Sequence, residues 1–326
     1  MKSKIRLALA IAAAIGMADA NAEDVSTNVK GSIKANIFAG YHAGLWHANS
    51  QSGFDVDRAR LSYEFTASPT LSGKVAFEFG TTKVGSSELE RVAHLKYAML
   101  SWKYQQLVVD FGVIGLEQFS LQESFWGYRY IMKSFQDEYK FGNSGDAGIL
   151  AKYAITPWLS VDGAITNGEG YKHLNNDNKY RYEVGATAHP CSTVAIRVYY
   201  DRYSHTAAAN KDQEVVSFFA GYKNSAFSLG AEYNLMLNTK FTPHHNQNGY
   251  SIYGSVCLNS HFNLFARFDE LHSENRWNGA SDGQHWLTGV QYAPWTYLKL
   301  APNFSAWNPH HGKTLPVVAL NIDFKI

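Results

Sequence analysis

The chain has little cysteine, little proline and no excess of either charge: two Cys, eight Pro, and 29 Lys and Arg against 28 Asp and Glu in 326 residues. Balanced charge excludes the basic footprint of a nucleic-acid binder. No HExxH motif and no cysteine-cluster spacing occurs, so neither the zinc-protease nor the zinc-finger signature is present. Long apolar runs are also missing after the N-terminus, and the mean hydropathy is −0.27. That excludes a bundle of membrane-spanning helices, each of which needs about twenty apolar residues. The one apolar run, Ile5 to Met17, follows Lys2, Lys4 and Arg6 and precedes the small-x-small triplet Ala20-Asn21-Ala22. It is too short to span a bilayer and has the layout of a secretory signal peptide, so residues 1–22 are expected to be removed and 23–326 to form the mature domain. Without those 22 residues, 26 bases stand against 27 acids.

What is abundant is aromatic and small: 20 Tyr, 19 Phe, 8 Trp and 26 Gly. They fall in segments of period two. Val29, Ile33, Ile37 and Tyr41 share one phase, while Lys30, Ser32, Lys34 and Asn36 share the other. Ala59, Leu61, Tyr63 and Phe65 alternate with Arg58, Arg60, Ser62 and Glu64, and after Ser68-Pro69-Thr70 the alternation resumes with Val75, Phe77 and Phe79 against Lys74 and Glu78. The pattern continues to Val318, Leu320, Ile322 and Phe324. Alternation of this kind is a strand with one apolar and one polar environment. About sixteen such strands of roughly ten residues are expected, the length a tilted membrane strand requires.

The connections alternate as well. Short turns near Ser68-Pro69, Tyr104-Gln105, Thr156-Pro157, His189-Pro190, Lys223-Asn224, Asn259-Ser260 and Pro294-Trp295 are separated by longer polar links at 42–53, 81–91, 115–146, 167–179, 202–213, 238–248, 271–284 and 307–313. Short turns at one end and long loops at the other describe an all-β transmembrane antiparallel barrel of the Gram-negative outer membrane, with the turns in the periplasm. In lipid every backbone amide must be paired, so the sheet closes. A barrel of this strand number is too wide for side chains to fill and encloses water, which is why the second phase is polar. Trp158, Tyr292 and Trp295, near the short turns, fit a periplasmic aromatic girdle. Cys191 and Cys257 fall at the periplasmic end but several strands apart. Strands are spaced about 4.8 Å, and a disulfide needs Cα atoms within about 6.8 Å, so two unpaired thiols are expected.

The third long link, residues 115–146, is too long to be a plain turn and is expected to fold into the barrel and constrict it. It carries Glu117, Glu123, Asp137 and Glu138 together with Arg129, Lys133 and Lys140, and eight aromatic residues from Phe119 to Phe141. The inward phase of the early strands supplies Lys30, Lys34, Arg58, Arg60, Lys74 and Lys96, with Glu64 and Glu78 among them. The loop acids are expected to face this basic wall, creating a transverse field that orients dipolar solutes. The candidate pore residues are therefore Arg58, Arg60, Lys74, Glu78 and Lys96 on the wall and Glu117, Glu123, Arg129, Lys133, Asp137 and Glu138 on the loop.

The stretches FDVDRARLSYEFTASPTLSGKVAFEF, LKYAMLSWKYQQLVVDFGVIGLEQFSLQES and GILAKYAITPWLSVDGAITNGEG carry a resemblance. With the basic pair Arg58 and Arg60, Gly112 ahead of the long loop and Asn167-Gly168 after it, the region from Phe54 to Gly170 resembles the phosphate-selective porin O and P family of outer-membrane channels. The resemblance implies a sixteen-strand trimeric pore whose third loop folds inward. The expected function is passive diffusion of small hydrophilic solutes or ions, with an anion or phosphate preference as the family's implication. The expected partners are those solutes, outer-membrane lipids, the barrel-assembly machinery and two further copies of the chain in a homotrimer. No cofactor and no nucleic acid is expected. Two other classes stay open: an outer-membrane barrel enzyme, for which Ser204-His205 and Asp282 with His285 are available, and an adhesin or structural barrel. Thirteen histidines raise a metal reading, above all at His244-His245 and His310-His311. Adjacent residues on an extended chain point to opposite sides, so each pair alone is a poor chelate and no metal is expected.

Overall fold

A computed structural model of the chain describes residues 29–45, 51–81, 91–205 and 209–326. The segment expected to be a signal peptide lies outside the described residues. The sixteen expected strands are present: β1 (Lys30–Gly44), β2 (Ser52–Thr66), β3 (Leu71–Thr81), β4 (Arg91–Tyr104), β5 (Leu107–Gly115), β6 (Gly145–Thr156), β7 (Leu159–Thr166) and β8 (Arg181–Cys191) make the first half. The second half is β9 (Val194–Tyr203), β10 (Gln213–Lys223), β11 (Phe227–Leu237), β12 (Gln247–Cys257), β13 (Phe262–Ser273), β14 (Gly283–Trp295), β15 (Leu298–Pro309) and β16 (Leu315–Lys325). Each strand pairs antiparallel with its neighbours in sequence, and β1 pairs with β16, so the sheet is a closed barrel. Closure leaves no unpaired edge, as a sheet in lipid requires.

Alternation separates the two faces. Ile33, Ile37, Tyr41, Leu61, Tyr63, Phe77 and Phe111 are exposed on the outside, Ile33 at 73%. Ser62, Asp110, Arg197, Asp201, Ser217 and Asp269 are buried on the inside. A β-barrel whose outer face is this apolar is a membrane barrel. At the short-turn end Trp158, Trp295, Tyr292, Tyr104 and Tyr297 are exposed, and Trp295 stacks on Tyr297 with ring centroids 5.6 Å apart. These are the girdle positions. Cys191 and Cys257 close β8 and β12 at the same end and are both free.

Two bulges interrupt the alternation where it matters for the lumen. In the β1–β2 pairing Phe38 faces Arg58 and Ala39 faces Val56, so Asp57 is the extra residue. In the β3–β4 pairing Ala76 faces Tyr97 and Phe77 faces Leu95, so Lys96 is the extra residue. A bulge re-aims side chains. Here it lets the consecutive pairs Asp57-Arg58 and Lys96-Tyr97 line the interior together.

The link between β5 and β6 turns into the barrel, as expected from its length. It contains two short helices, α1 (Ser120–Trp126) and α2 (Phe135–Glu138). Its entry depends on Gly112, whose φ is +118° and where a Cβ would lie 2.2 Å from the Ala98 carbonyl oxygen. Gly127, at φ +73°, ends α1 in the left-handed conformation, and its N–H donates to the Glu123 carbonyl at 2.9 Å.

Candidate functional site: a charged constriction between loop and wall

The aromatic part of the inward loop packs mainly against the later strands of the barrel. Phe125, Trp126, Tyr128 and Tyr130 form an apolar cluster with Phe219, Tyr253, Phe265, Leu287 and Ala301 from β10, β12, β13, β14 and β15. Tyr128 and Phe265 have ring centroids 4.4 Å apart, Phe125 and Phe219 5.1 Å. A second cluster joins Phe135 and Phe141 to Val215, Met236 and Leu271. These wall residues occupy the inward phase, where water would otherwise be, and the loop covers them. Burying an aromatic side chain in this way contributes roughly 1.5–3 kcal/mol.

A polar layer then satisfies the loop backbone. Wall side chains donate to loop carbonyls: Lys223 to Ser124 at 2.9 Å, Ser228 to Phe125 at 2.9 Å, Tyr253 to Gln122 at 3.0 Å and Asn321 to Tyr130 at 3.3 Å. Arg267 is the centre of this layer. Its Nε and Nη2 each donate to Asp269 at 2.8 Å, its Nη1 donates to the Lys133 carbonyl at 2.6 Å, and its guanidinium lies 5.2 Å from the Trp126 ring centroid. Tyr139 donates to the same Asp269 at 3.1 Å. Both charged side chains of the Arg267–Asp269 pair are fully buried. The far end of the loop is tied to the next long link, where Asn143 donates to the Gly168 carbonyl at 3.1 Å and the Gly168 N–H donates to Asp146 at 2.6 Å.

With the loop held on β10–β16, the open space lies between it and the wall formed by β2–β6. Above the loop is an outer vestibule of about 1520 Å³, into which Lys133, Asp137, Glu138 and Lys140 face from the loop and Asp55, Asp57 and Glu78 from the wall. Below is a chamber of about 590 Å³, lined by Arg60, Lys74, Lys96, Glu117 and Glu123 among others. Arg58, Arg129 and Ser144 line both spaces and so mark where the two adjoin. The chamber in turn shares Lys74, Asp110 and Lys152 with a further space of about 610 Å³ that reaches Lys30 and the short turns. The three spaces succeed one another from the long-loop end to the short-turn end.

The expected residues fall into place as follows. Arg58 and Arg60 share one carboxylate: the Nε of Arg58 lies 3.4 Å from Glu78, and the Nε of Arg60 donates to Glu78 at 3.1 Å. Lys74 pairs with Glu64 at 2.8 Å, and Lys34 pairs with the same carboxylate. Lys96 is buried, donates to Ser144 at 2.5 Å and lies 3.8 Å from the Tyr171 ring centroid, a cation held against an aromatic face. On the loop, Arg129 donates to Asp137 at 3.0 Å and lies 3.7 Å from Glu123. Glu117 accepts from Lys152 at 3.1 Å and from Ser120 at 2.6 Å. Burial alone would raise the Glu117 carboxyl, but the Lys152 ammonium and the Ser120 hydroxyl outweigh it and hold the group below its ordinary value. Lys133 and Glu138 face the vestibule.

The loop acids share the chamber and vestibule with the early basic wall, but their contact partners lie elsewhere. Glu123 and Asp137 are engaged by Arg129 of the same loop, and Glu117 by Lys152 of β6. The reason is reach: the loop leans on the opposite wall, so its own arginine and the strand that follows it are nearer. The wall's arginines find their counter-charge within the wall, on Glu78. Lys152, Asp57 and Asp110 line the passage without having been singled out in the sequence. Lys152 and Asp110 sit on the polar phase of their strands and were legible by alternation, whereas Asp57 depends on the bulge.

The charges along the path are uneven. The vestibule carries six basic side chains, Arg58, Arg129, Lys133, Lys140, Lys172 and Lys240, against six acids, Asp55, Asp57, Glu78, Asp137, Glu138 and Glu169. The chamber beneath carries six, Arg58, Arg60, Lys74, Lys96, Arg129 and Lys152, against three, Asp110, Glu117 and Glu123.

Ser204 and His205, the neighbours considered as a catalytic pair, are engaged elsewhere: Ser204 donates to Asp212 at 3.5 Å, and the His205 ring lies 3.1 Å from Asn210. Asp282, the other carboxylate considered, accepts from Ser273 at 2.6 Å.

No family model matches the chain, and no curated protein matches it. Solved structures do. The outer membrane channel DcaP of Acinetobacter baumannii superposes with a TM-score of 0.66 at 11% identity, over 91% of this chain and 97% of that one. OmpF of Salmonella typhi, in a complex with daunomycin, gives 0.68 at 13% identity over 91% and 98%. An anion-selective porin from Comamonas acidovorans gives 0.67 at 9% identity over 92% and 100%. At these identities what is shared is the fold, and the fold is that of the sixteen-strand barrels of the Gram-negative outer membrane.

Proposed function

We propose that the chain is an outer-membrane porin, a passive channel for small hydrophilic solutes that favours anions, phosphate among them. The observation that carries this is the chamber under the constriction, with six basic side chains against three acidic ones. A solute leaving the balanced vestibule meets a lining richer in bases than in acids, its potential offset in part by Glu64, Glu78 and Asp137, which pair with Lys74, Arg58, Arg60 and Arg129 from outside the chamber. A water-filled passage with low-dielectric walls focuses that potential on the permeating ion. Arg58 and Arg60 share Glu78, so the trio keeps one net positive charge on the chamber wall. The mechanism needs no bond to be made or broken: solutes run down their gradient, sorted by width and charge.

Two likenesses support the reading. The Comamonas structure is described as an anion-selective porin, and one of the matching Vibrio cholerae structures, of OmpT, is described as a trimer form. A homotrimer of this chain is the corresponding expectation, and the porin O and P resemblance of the Phe54–Gly170 region agrees with both. The test is single-channel conductance of the folded protein in a planar bilayer, with reversal potential in a salt gradient and phosphate titrated in. Ohmic steps, an anion-sided reversal potential and block by phosphate are the expected result. Steps indifferent to phosphate and without anion preference would leave a general porin, and silence from demonstrably folded barrels would overturn the channel.

A further inference from the structure

The long-loop rim of the barrel, away from the constriction, gathers three metal-ligating side chains from three separate elements. His272 is the last but one residue of β13, Asp282 precedes β14 and His310 follows β15, and one ligand atom of each lies within 4.8 Å of the others. We propose that His272, Asp282 and His310 form a binding site for a divalent transition-metal ion such as zinc on the extracellular face. The proposal does not depend on whether the barrel conducts.

Two observations on the geometry point to a ligand. Asp282 is 2% exposed; its Oδ2 accepts from Ser273 at 2.6 Å, while its Oδ1 is buried without a hydrogen-bond partner among the described residues. A buried carboxylate oxygen with no partner is costly, and a cation would relieve that cost. The two imidazoles beside it are exposed, so an ion can arrive from solvent. The second observation is support. The His310 N–H donates to the Asp282 carbonyl at 2.9 Å, which fixes the last two long links to each other, and the Nε2 of His310 lies 2.7 Å from Glu270. Glu270 is placed to act either as a fourth ligand or as the outer carboxylate that orients a metal-bound histidine.

The chemistry selects the class of ion. Two imidazoles and a carboxylate suit zinc, cobalt or nickel, and lack the all-oxygen shell that calcium and magnesium demand. Ligands around one tetrahedral zinc, with bonds of about 2.0–2.1 Å, lie about 3.4 Å apart. The 4.8 Å envelope therefore closes with side-chain rotation and no change in the barrel. The adjacency rule that makes His310-His311 a poor chelate still holds, because only His310 of that pair takes part.

The experiment uses the folded, full-length barrel in detergent and Co²⁺ alone as probe. One equivalent should bind with the visible ligand-field bands of a low-coordinate site and without a thiolate charge-transfer band, which excludes Cys191 and Cys257. His272→Ala with His310→Ala should abolish that equivalent, Glu270→Gln should weaken it by about 10- to 100-fold, and His244→Ala with His245→Ala should leave it intact. Heat-modifiable migration reports that each variant is folded. If the double variant does not fold, the single exposed substitution His310→Ala decides by the same criterion. No stoichiometric binding by the wild-type barrel, or binding that survives loss of His310 in a folded variant, overturns the site.

Discussion

Glu78 is the single carboxylate between Arg58 and Arg60, so charge selectivity should move in opposite directions when either side of this trio is removed. With all three present the trio carries one net positive charge. Glu78→Gln raises it to two, and Arg58→Ala with Arg60→Ala lowers it to minus one. A hydrated ion passing on the order of 5 Å away feels about 0.8 kcal/mol per unit charge at the dielectric of water. Screening in about 0.1 M salt reduces this to about 0.5 kcal/mol. Anion and cation are shifted oppositely, so the permeability ratio changes by about 1 kcal/mol, or roughly fivefold, per unit charge. Glu78→Gln should therefore raise the anion-to-cation ratio about fivefold, and the double arginine variant should lower it by about thirtyfold. In about 1 M salt the change per charge should fall below about twofold. Reversal potentials across a salt gradient, measured at both ionic strengths, check the sign and the salt dependence together. Shifts in the same direction for the two variants, or none in folded channels, would refute the assignment of selectivity to this trio.

The loop's anchorage makes a separate expectation. Arg267→Ala leaves Asp269 buried without its partner and releases the Lys133 carbonyl, a loss of about 3–5 kcal/mol; the barrel should still close, while single-channel recordings show frequent transitions between conductance levels as the loop leaves its wall. At Gly112 in β5 and Gly127 in the loop, both of positive φ, the outcomes should differ. Gly112→Ala meets the Ala98 carbonyl at 2.2 Å and should prevent assembly of the heat-modifiable barrel, whereas Gly127→Ala meets nothing within 4 Å and should fold with a loss of about 1–2 kcal/mol from the left-handed backbone.

Strand number, the order of short turns and long links, and the inward course of the third link were all legible in the sequence, because lipid and water impose period two on every strand and segregate the connections. The basic residues of β2 to β4 were legible for the same reason. The loop's resting place was not. Its aromatics could be seen, but their receiving surface is made of Phe219, Tyr253, Phe265 and Leu287, each on a different strand and each an apolar residue on a phase that is elsewhere polar. One such residue looks like noise in an alternating pattern. Their meaning depends on lateral register, which brings Tyr253 opposite Arg267 and Phe265 opposite Gly289. The contact partners of the loop acids were hidden for the same reason, since they depend on which wall the loop leans against. Bulges hid Asp57, because strict alternation turns it to the lipid.

The two halves of the lumen thus do different work, and each constrains the other. Aromatic and hydrogen-bonding side chains of β10–β16 fix the loop, and with the loop fixed there the contact partner of the β2 arginines is Glu78 of the wall. Had the loop acids reached across the gap, the wall charges would have been paired off and the passage closed. Arg129 prevents this by holding Glu123 and Asp137 on the loop's own surface, and the bulge at Lys96 adds a cation to the opposite wall. Lys96 is held by Ser144 and the Tyr171 ring instead of by a carboxylate at contact distance. For the proposed channel, selectivity should therefore depend on where the loop docks as much as on which charges line the pore. A substitution in the apolar docking face, remote from every charge on the path, should alter ion preference by letting the acids of the loop approach the basic wall.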